Sequence, residues 1–250
     1  MIKYKNGMLT INQEINDEEF IGTFKKNDDS VYIGKWKNKK KHGQGCYVYP
    51  NGESYDGNWE NGFKQGKGVF IFENGDHYSG SFHKNMMHGV GIYQFLNGNT
   101  FRGNFERGKV NGKGTLSDIN DNLIYCGEWK ENKAHGIGSN SKYDGSWVKG
   151  FKDGKGFISF DNGDTYEGEF IKNKMCGFGV YNSIDGSKYE GNFLDNEKHG
   201  YGIKYLLNGN RYEGNWKDDR RNGFGTLYKN NDIFKGEFKD GKFVGLDAKG

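Results

Sequence analysis

The stretch YDGNWENGFKQGKGVFIFENGDH, residues 55–77, decides the fold, because close copies of it precede and follow it along the chain. It opens on an aromatic, a spacer, a glycine, a spacer and a Trp: Tyr55, Gly57 and Trp59. The same trio stands at Tyr32, Gly34 and Trp36, at Tyr78, Gly80 and Phe82, and at Phe101, Gly103 and Phe105. It continues at Tyr125, Gly127 and Trp129, at Tyr143, Gly145 and Trp147, and at Tyr166, Gly168 and Phe170. Tyr189, Gly191 and Phe193, then Tyr212, Gly214 and Trp216, then Phe234, Gly236 and Phe238 complete the series, with a weaker copy at Phe20, Gly22 and Phe24. Most steps between lead aromatics are 23 residues. A fixed period of that size marks a repeat array in which each unit buries its apolar side only against its neighbours.

Residues i, i+2 and i+4 of a strand share one face, so Tyr55, Gly57 and Trp59 point one way and Asp56 and Asn58 the other. The second half of the unit carries Gly66 and Gly68, then Phe70 and Phe72, at the same alternation. Glycine weakens a strand unless something bulky must approach its backbone. The sequence therefore predicts aromatic rings lying over the glycines. Asn51-Gly52, Asn74-Gly75, Asn97-Gly98, Asn162-Gly163 and Asn208-Gly209, with Asp185-Gly186, read as two-residue hairpin turns. A longer turn is expected between the Trp or Phe and the Gly-x-Gly, as from Lys37 to His42. Each unit is then two short antiparallel strands, and no 3.6-residue period runs through the array. With about 4.8 Å between strands, ten units make a rod on the order of 100 Å long.

These residues resemble the MORN repeat (membrane occupation and recognition nexus), whose pattern is roughly Y-x-G-x-W, then G-x-G, then N-G. The resemblance covers about residues 20–245. It implies an all-β, single-layer, elongated, twisted antiparallel β-meander, a solenoid-like rod of β-hairpins. It also implies binding or scaffolding rather than catalysis. Members serve in cytoskeletal scaffolds of protists, in ciliary radial spokes, in membrane-contact proteins and as accessory modules beside catalytic domains.

Residues 1–19, with Asn16, Asp17, Glu18 and Glu19, read as a polar N-terminal cap, and 246–250 as a C-terminal tail. The step from Tyr125 to Tyr143 is short, and Gly138 to Lys142 stands where a full strand and its Asn-Gly turn are expected. The irregular units at 118–143 predict either a kink dividing the rod into two arms or a harmless shortening of a surface turn. The last unit is expected to lack its final strand, which leaves Phe234, Phe238, Phe243 and Val244 at an edge suited to self-association, or simply at a frayed terminus.

Composition narrows the chemistry. Phe 19, Tyr 16 and Trp 5 together outnumber Leu, Ile and Val, so rings supply the buried area. Mean hydropathy is −0.96, yet a regular aromatic register argues against disorder. Net charge is +3 with the signs interleaved, which is not the footprint of a nucleic-acid binder. The N-terminus has no signal-peptide pattern, no stretch is long and apolar enough to span a bilayer, and three scattered cysteines suit a reducing cytoplasm. The Gly-x-Gly pairs lack the third glycine and the Lys-Ser/Thr ending of a phosphate loop. His42, His88, His135 and His199 fall in one slot of successive units, too far apart to share a metal. Glu53, Asp76 and Asp164 fall around the Asn-Gly turn, with no pair in an apolar cleft for acid–base work. No enzyme activity and no cofactor is expected.

The one single-sign cluster is Lys37, Lys39, Lys40 and Lys41, beside His42. It suits anionic phospholipid headgroups, or is a solvated turn that repels edge pairing. The reading that fits best is a cytoplasmic scaffold that binds proteins in a cytoskeletal or ciliary assembly and self-associates through its ends, as a homodimer. A peripheral membrane adaptor and a regulatory subunit of a separate enzyme are the alternatives.

Overall fold

The computed structural model describes residues 2–4, 6–16, 18–230 and 232–245. The proposed tail, 246–250, and Asp17 of the polar cap lie outside the described residues. The described chain is strand and turn, with no helix. It divides into two units, 1–133 and 134–250.

The first unit holds β1 (Ile2–Tyr4), β2 (Gly7–Asn16), β3 (Glu19–Lys26) and β4 (Val31–Lys37). It continues with β5 (Lys40–Val48), β6 (Ser54–Glu60), β7 (Phe63–Ile71) and β8 (His77–His83). β9 (Met86–Gln94), β10 (Thr100–Glu106), β11 (Lys109–Ser117) and β12 (Leu123–Lys130) complete it. The second unit is opened by β13 (Lys133–Ser139), then β14 (Tyr143–Val148), β15 (Phe151–Ser159), β16 (Thr165–Ile171) and β17 (Lys174–Asn182). β18 (Lys188–Leu194), β19 (Glu197–Tyr205), β20 (Arg211–Lys217), β21 (Arg220–Lys229), β22 (Asp232–Lys239) and β23 (Lys242–Gly245) follow. Within each unit, strands pair antiparallel with their neighbours in sequence, making a single-layer meander as the repeat predicts.

The core is the aromatic face of the sheet. Tyr32, Tyr55, Tyr78, Tyr143, Tyr166 and Tyr189 are fully buried. The Tyr55 ring lies edge-on to Trp59, with centroids 5.2 Å apart, and edge-on to Phe82 of the next repeat at 4.8 Å. Tyr166 repeats this with Phe170 at 5.3 Å and Phe193 at 5.0 Å. T-shaped pairs at these distances are favoured by the ring quadrupole. The polar atoms of the rings are satisfied too: the Tyr55 hydroxyl donates to the Asn58 carbonyl at 2.9 Å, and Trp59 Nε1 donates to the Gly45 carbonyl at 2.8 Å.

Two glycines of each repeat have separate causes. A Cβ on Gly68 would stand 2.5 Å from the Tyr55 ring, so the ring lies on glycine as predicted. Gly66 instead has φ +72 beside a register shift between Gly57 and Trp59, the left-handed residue of a β-bulge.

The turns are the reverse of the expectation. The Asn-Gly turn is the looser one: Pro50, Asn51 and Gly52 form a three-residue loop, with Gly52 N–H donating to the Tyr49 carbonyl at 3.1 Å. Only its glycine has positive φ, +87, which fits a type I turn with a bulge. The tight two-residue turn is the other one. Asn61 and Gly62 both have positive φ, as do Lys84 and Asn85, and Lys172 and Asn173. That is the type I′ geometry matching strand twist.

Three further segments read as irregular take part in the sheet. In the region read as a polar cap, β1 and β2 pair in the sheet, β2 with β3 from Gly7 to Asn16. At 138–142 the strand is kept and only shortened, since β13 reaches Ser139 and Asn140 Oδ1 closes the turn onto Lys142 and Tyr143 N–H. The last repeat has its closing strand, because β23 pairs with β22, with Phe243 opposite Phe238.

Candidate interaction surfaces

The predicted lysine cluster does not form one patch. The tight turn gives Asn38 and Lys39 positive φ and throws Lys39 and Lys40 into solvent. Lys37 instead pairs with Glu19 of β3 at 2.9 Å, and Lys35 joins it at 2.7 Å. Those two lysines hold the Glu19 carboxyl down to about 2. Lys41 sits on the other face, with Nζ 3.6 Å from the Tyr47 ring centroid and 4.4 Å from that of Trp59. Burial, with Lys26 and Lys64 nearby, pulls its ammonium down to about 8. Lys64 repeats the arrangement one unit on: Nζ lies 4.2 Å from the Phe70 centroid and burial takes it to about 8. The four predicted contacts are therefore split: two exposed, one ion-paired, one laid on aromatic rings.

The predicted self-association edge is also divided. Phe238 is 1% exposed, seated on Tyr212 and covered by Phe243 and the Arg221 guanidinium. It belongs to the core and is not offered to a partner. Phe234 packs on Phe243, while Phe243 and Val244 of β23 remain exposed. The structural trio residues Tyr32, Tyr55, Tyr125, Tyr212 and Trp59 and Trp216 are buried, and Trp36 and Trp129 are partly buried against the first unit's core.

Two side-chain ties between repeats are not evident from the spacing. Asp76 is buried and accepts hydrogen bonds from the Tyr93 hydroxyl at 2.7 Å, Leu96 N–H at 2.8 Å and Asn74 Nδ2 at 2.9 Å. Asp164 does the same with Tyr181 at 2.6 Å, Ile184 N–H at 2.8 Å and Asn162 at 2.8 Å. Burial works against the Asp76 charge, but the three donors outweigh it and hold its carboxyl below the usual range. At the opposite edge, Lys64 N–H donates to Asn85 Oδ1 at 2.8 Å, and Asn85 N–H returns a bond to the Lys64 carbonyl at 3.0 Å. Asn173 with Lys152 and Asn196 with Met175 repeat it. The histidine slot takes part: Gln65 accepts from Lys84 N–H and Asp153 from Lys172 N–H. Among the described residues no group of three His, Cys, Asp or Glu side chains is placed to hold a metal ion.

Among the described residues, the face opposite the rings carries no layer within either unit. Ile33, Val69, Val90, Phe157, Phe178 and Tyr201 stand exposed there.

A MORN-repeat family model matches this chain ten times, over residues 32–54, 55–77, 78–100, 101–122, 125–139, 143–165, 166–188, 189–211, 212–233 and 234–246. No curated protein matches the sequence. Among solved structures, the chain is similar to the TCP10 domain of Danio rerio CPAP in complex with a peptide of Danio rerio STIL. That match has 7% identity, 93% of this chain and 98% of that one covered, and a TM-score of 0.38. It is also similar to the SAS-4 (dCPAP) TCP domain of Drosophila melanogaster in complex with a proline-rich motif of Ana2 (dSTIL). There the identity is 12%, the coverage 76% and 85%, and the TM-score 0.30. Likeness this low carries nothing about what this chain binds.

Proposed function

The chain belongs to the MORN-repeat family, and from that premise we propose that it is a non-catalytic scaffold that binds protein partners in a cytoskeletal or ciliary assembly. One observation carries this reading. The rings are consumed by packing within the array, while the opposite face keeps large apolar side chains, Phe178 at 61% exposure among them, open to contact. Exposed apolar groups gathered on one face mark interaction surfaces.

Detergent fractionation of the source cell, following the tagged protein, tests it. Retention in the insoluble cytoskeleton or axoneme supports the scaffold. Release with membranes favours the phospholipid adaptor, and a protein soluble before detergent that co-purifies with a catalytic chain favours the regulatory subunit. The adaptor reading now rests on Lys39 and Lys40. Reversing both to Glu should abolish sedimentation with anionic liposomes if it holds.

Self-association belongs to the same proposal. The outer edge of β23 has no pairing among the described residues and exposes Phe243 and Val244. Unpaired strand edges recruit a second chain. Light scattering of the protein and of Val244→Lys checks this: a dimer that becomes a monomer supports it, and a wild-type monomer at high concentration refutes it.

A further inference from the structure

The unpartnered face of the second unit has an order that the first lacks. Its apolar side chains are large: Phe157, Phe178, Tyr201 and Phe224 are each 42% exposed or more. All four stand on the second strand of their hairpins and on the face away from the rings, opposite Glu167, Asn192, Asn215 and Glu237 in turn. One continuous cross-strand row includes Phe157 and passes two residues along the strand from Phe178, Tyr201 and Phe224. Asp144 lies opposite Phe157, Phe157 opposite Glu167, and Glu167 opposite Val180. Val180 lies opposite Glu190, Glu190 opposite Ile203, and Ile203 opposite Glu213. A carboxylate thus stands on the first strand of four successive hairpins and an apolar side chain on each strand between. In the first unit the same first-strand position holds Ile33, Asp56, Ser79, Arg102 and Cys126, with no such sequence. Lys188 pairs with Glu190, the Tyr201 hydroxyl donates to Glu213, and Lys155 lies opposite Glu169. From Asp144 to Glu213 the row itself carries carboxylates and no cation, with Lys155, Lys188 and Arg211 on the same face beside it and Lys235 next beyond Thr226.

We infer that this face docks an amphipathic α-helix of a partner protein, with Lys or Arg at every seventh position and apolar residues between them. The inference rests on the scaffold reading and names its partner class. The period selects the helix. Carboxylates on alternate strands stand about 10 Å apart along the row. Seven helical residues rise about 10.5 Å in two turns and return to the same side. An extended segment covers about 10 Å in three residues, but its third residue points away. The charge selects against other occupants. An anionic membrane is repelled by the row, and a second copy of this face would bring its own carboxylates against it.

The test uses the full chain and a synthetic, helix-stapled peptide of about three heptads, with Lys at every seventh position and Leu beside it. Fluorescence anisotropy should show binding that weakens between about 0.05 M and about 0.5 M salt. The same peptide with Glu for Lys, and a scrambled peptide of equal composition, should bind at least about tenfold more weakly. E167Q/E190Q/E213Q, with an unchanged melting curve, should lose about tenfold for the Lys peptide. The peptide controls decide the matter even where a variant folds poorly. No binding, equal binding of the scrambled peptide, or a folded triple variant that binds undiminished overturns the inference. Detergent retention of the wild type reads the scaffold separately. Retention without peptide binding overturns this face alone, and peptide binding without retention keeps the face and overturns the scaffold.

Discussion

At the scale of residues, the decisive contact is Tyr55 on Gly68. The added methyl of Gly68→Ala meets a fully buried ring that has no room to retreat. Overpacking of this kind costs about 1–3 kcal/mol. Tyr55→Phe loses only the bond to the Asn58 carbonyl, about 0.5–1.5 kcal/mol, and Phe101 already fills the equivalent place without a hydroxyl. Urea denaturation should rank Gly68→Ala as the more damaging; the opposite order would mean the ring is not seated on the glycine. Lys64 gives a prediction in pH. An unfolded lysine holds its proton up to about 10.5, the folded one only to about 8. Between these values the unfolded chain binds more protons, so stability rises with pH from about 8. The ring faces of Phe70 and Tyr55 offset part of the burial cost. Above pH 10 the trend reverses, because unfolded tyrosines ionise while buried Tyr78 is pushed up to about 12. Lys64→Met, the residue found in that slot at Met87 and Met175, should flatten the rise between pH 8 and 10. Urea midpoints at pH 7, 8, 9 and 10 measure it, and an unchanged slope would clear Lys64 of the effect.

At the scale of elements, the tight turn inside each repeat is bonded to the repeat before it. Asn85 tolerates its left-handed φ of +72 and offers Oδ1 to Lys64 N–H. Asn85→Gly keeps the backbone and loses the side-chain bond, about 0.5–1.5 kcal/mol. Asn85→Ala adds strain of about 1 kcal/mol or more to that loss. Amide exchange at Lys64 should quicken in both and more in Asn85→Ala; equal exchange in the two would remove strain from the account. The repeat, the ring face and the strand alternation were legible in the sequence, because a strict 23-residue period fixes which residues share a face. The turn types were not, since Asn-Gly suits a two-residue turn and also the last two places of a three-residue loop. Lys41 reads as part of a basic turn, because its slot in other repeats holds Lys64, Met87, Val110 and Arg221 and nothing in that chemistry marks a buried stem. Nor did residues 7–16 announce β2. They carry no trio, and join the sheet through backbone bonds that any sequence can make.

At the scale of the molecule, each repeat is one period of pairing and can be removed as such. Deleting residues 166–188, one matched segment, returns Tyr189 to the place of Tyr166 with the same register. The shortened chain should fold, with a urea m-value lower in rough proportion to its length. Deleting an odd number of residues within a strand, Phe178 alone for example, moves the following side chains to the wrong face. It should cost far more stability than removing the whole repeat; a more stable single deletion would show that register is not what the array enforces. The same pairing has a mechanical side. Hydrogen bonds in an antiparallel sheet lie across the strands, so in either unit they point along the direction in which strands are added. A load pulling that unit apart along this direction meets them one row at a time, as in a zipper, and not all together, as in shear. Such a sheet yields early and by steps, releasing a strand's length of slack at each one.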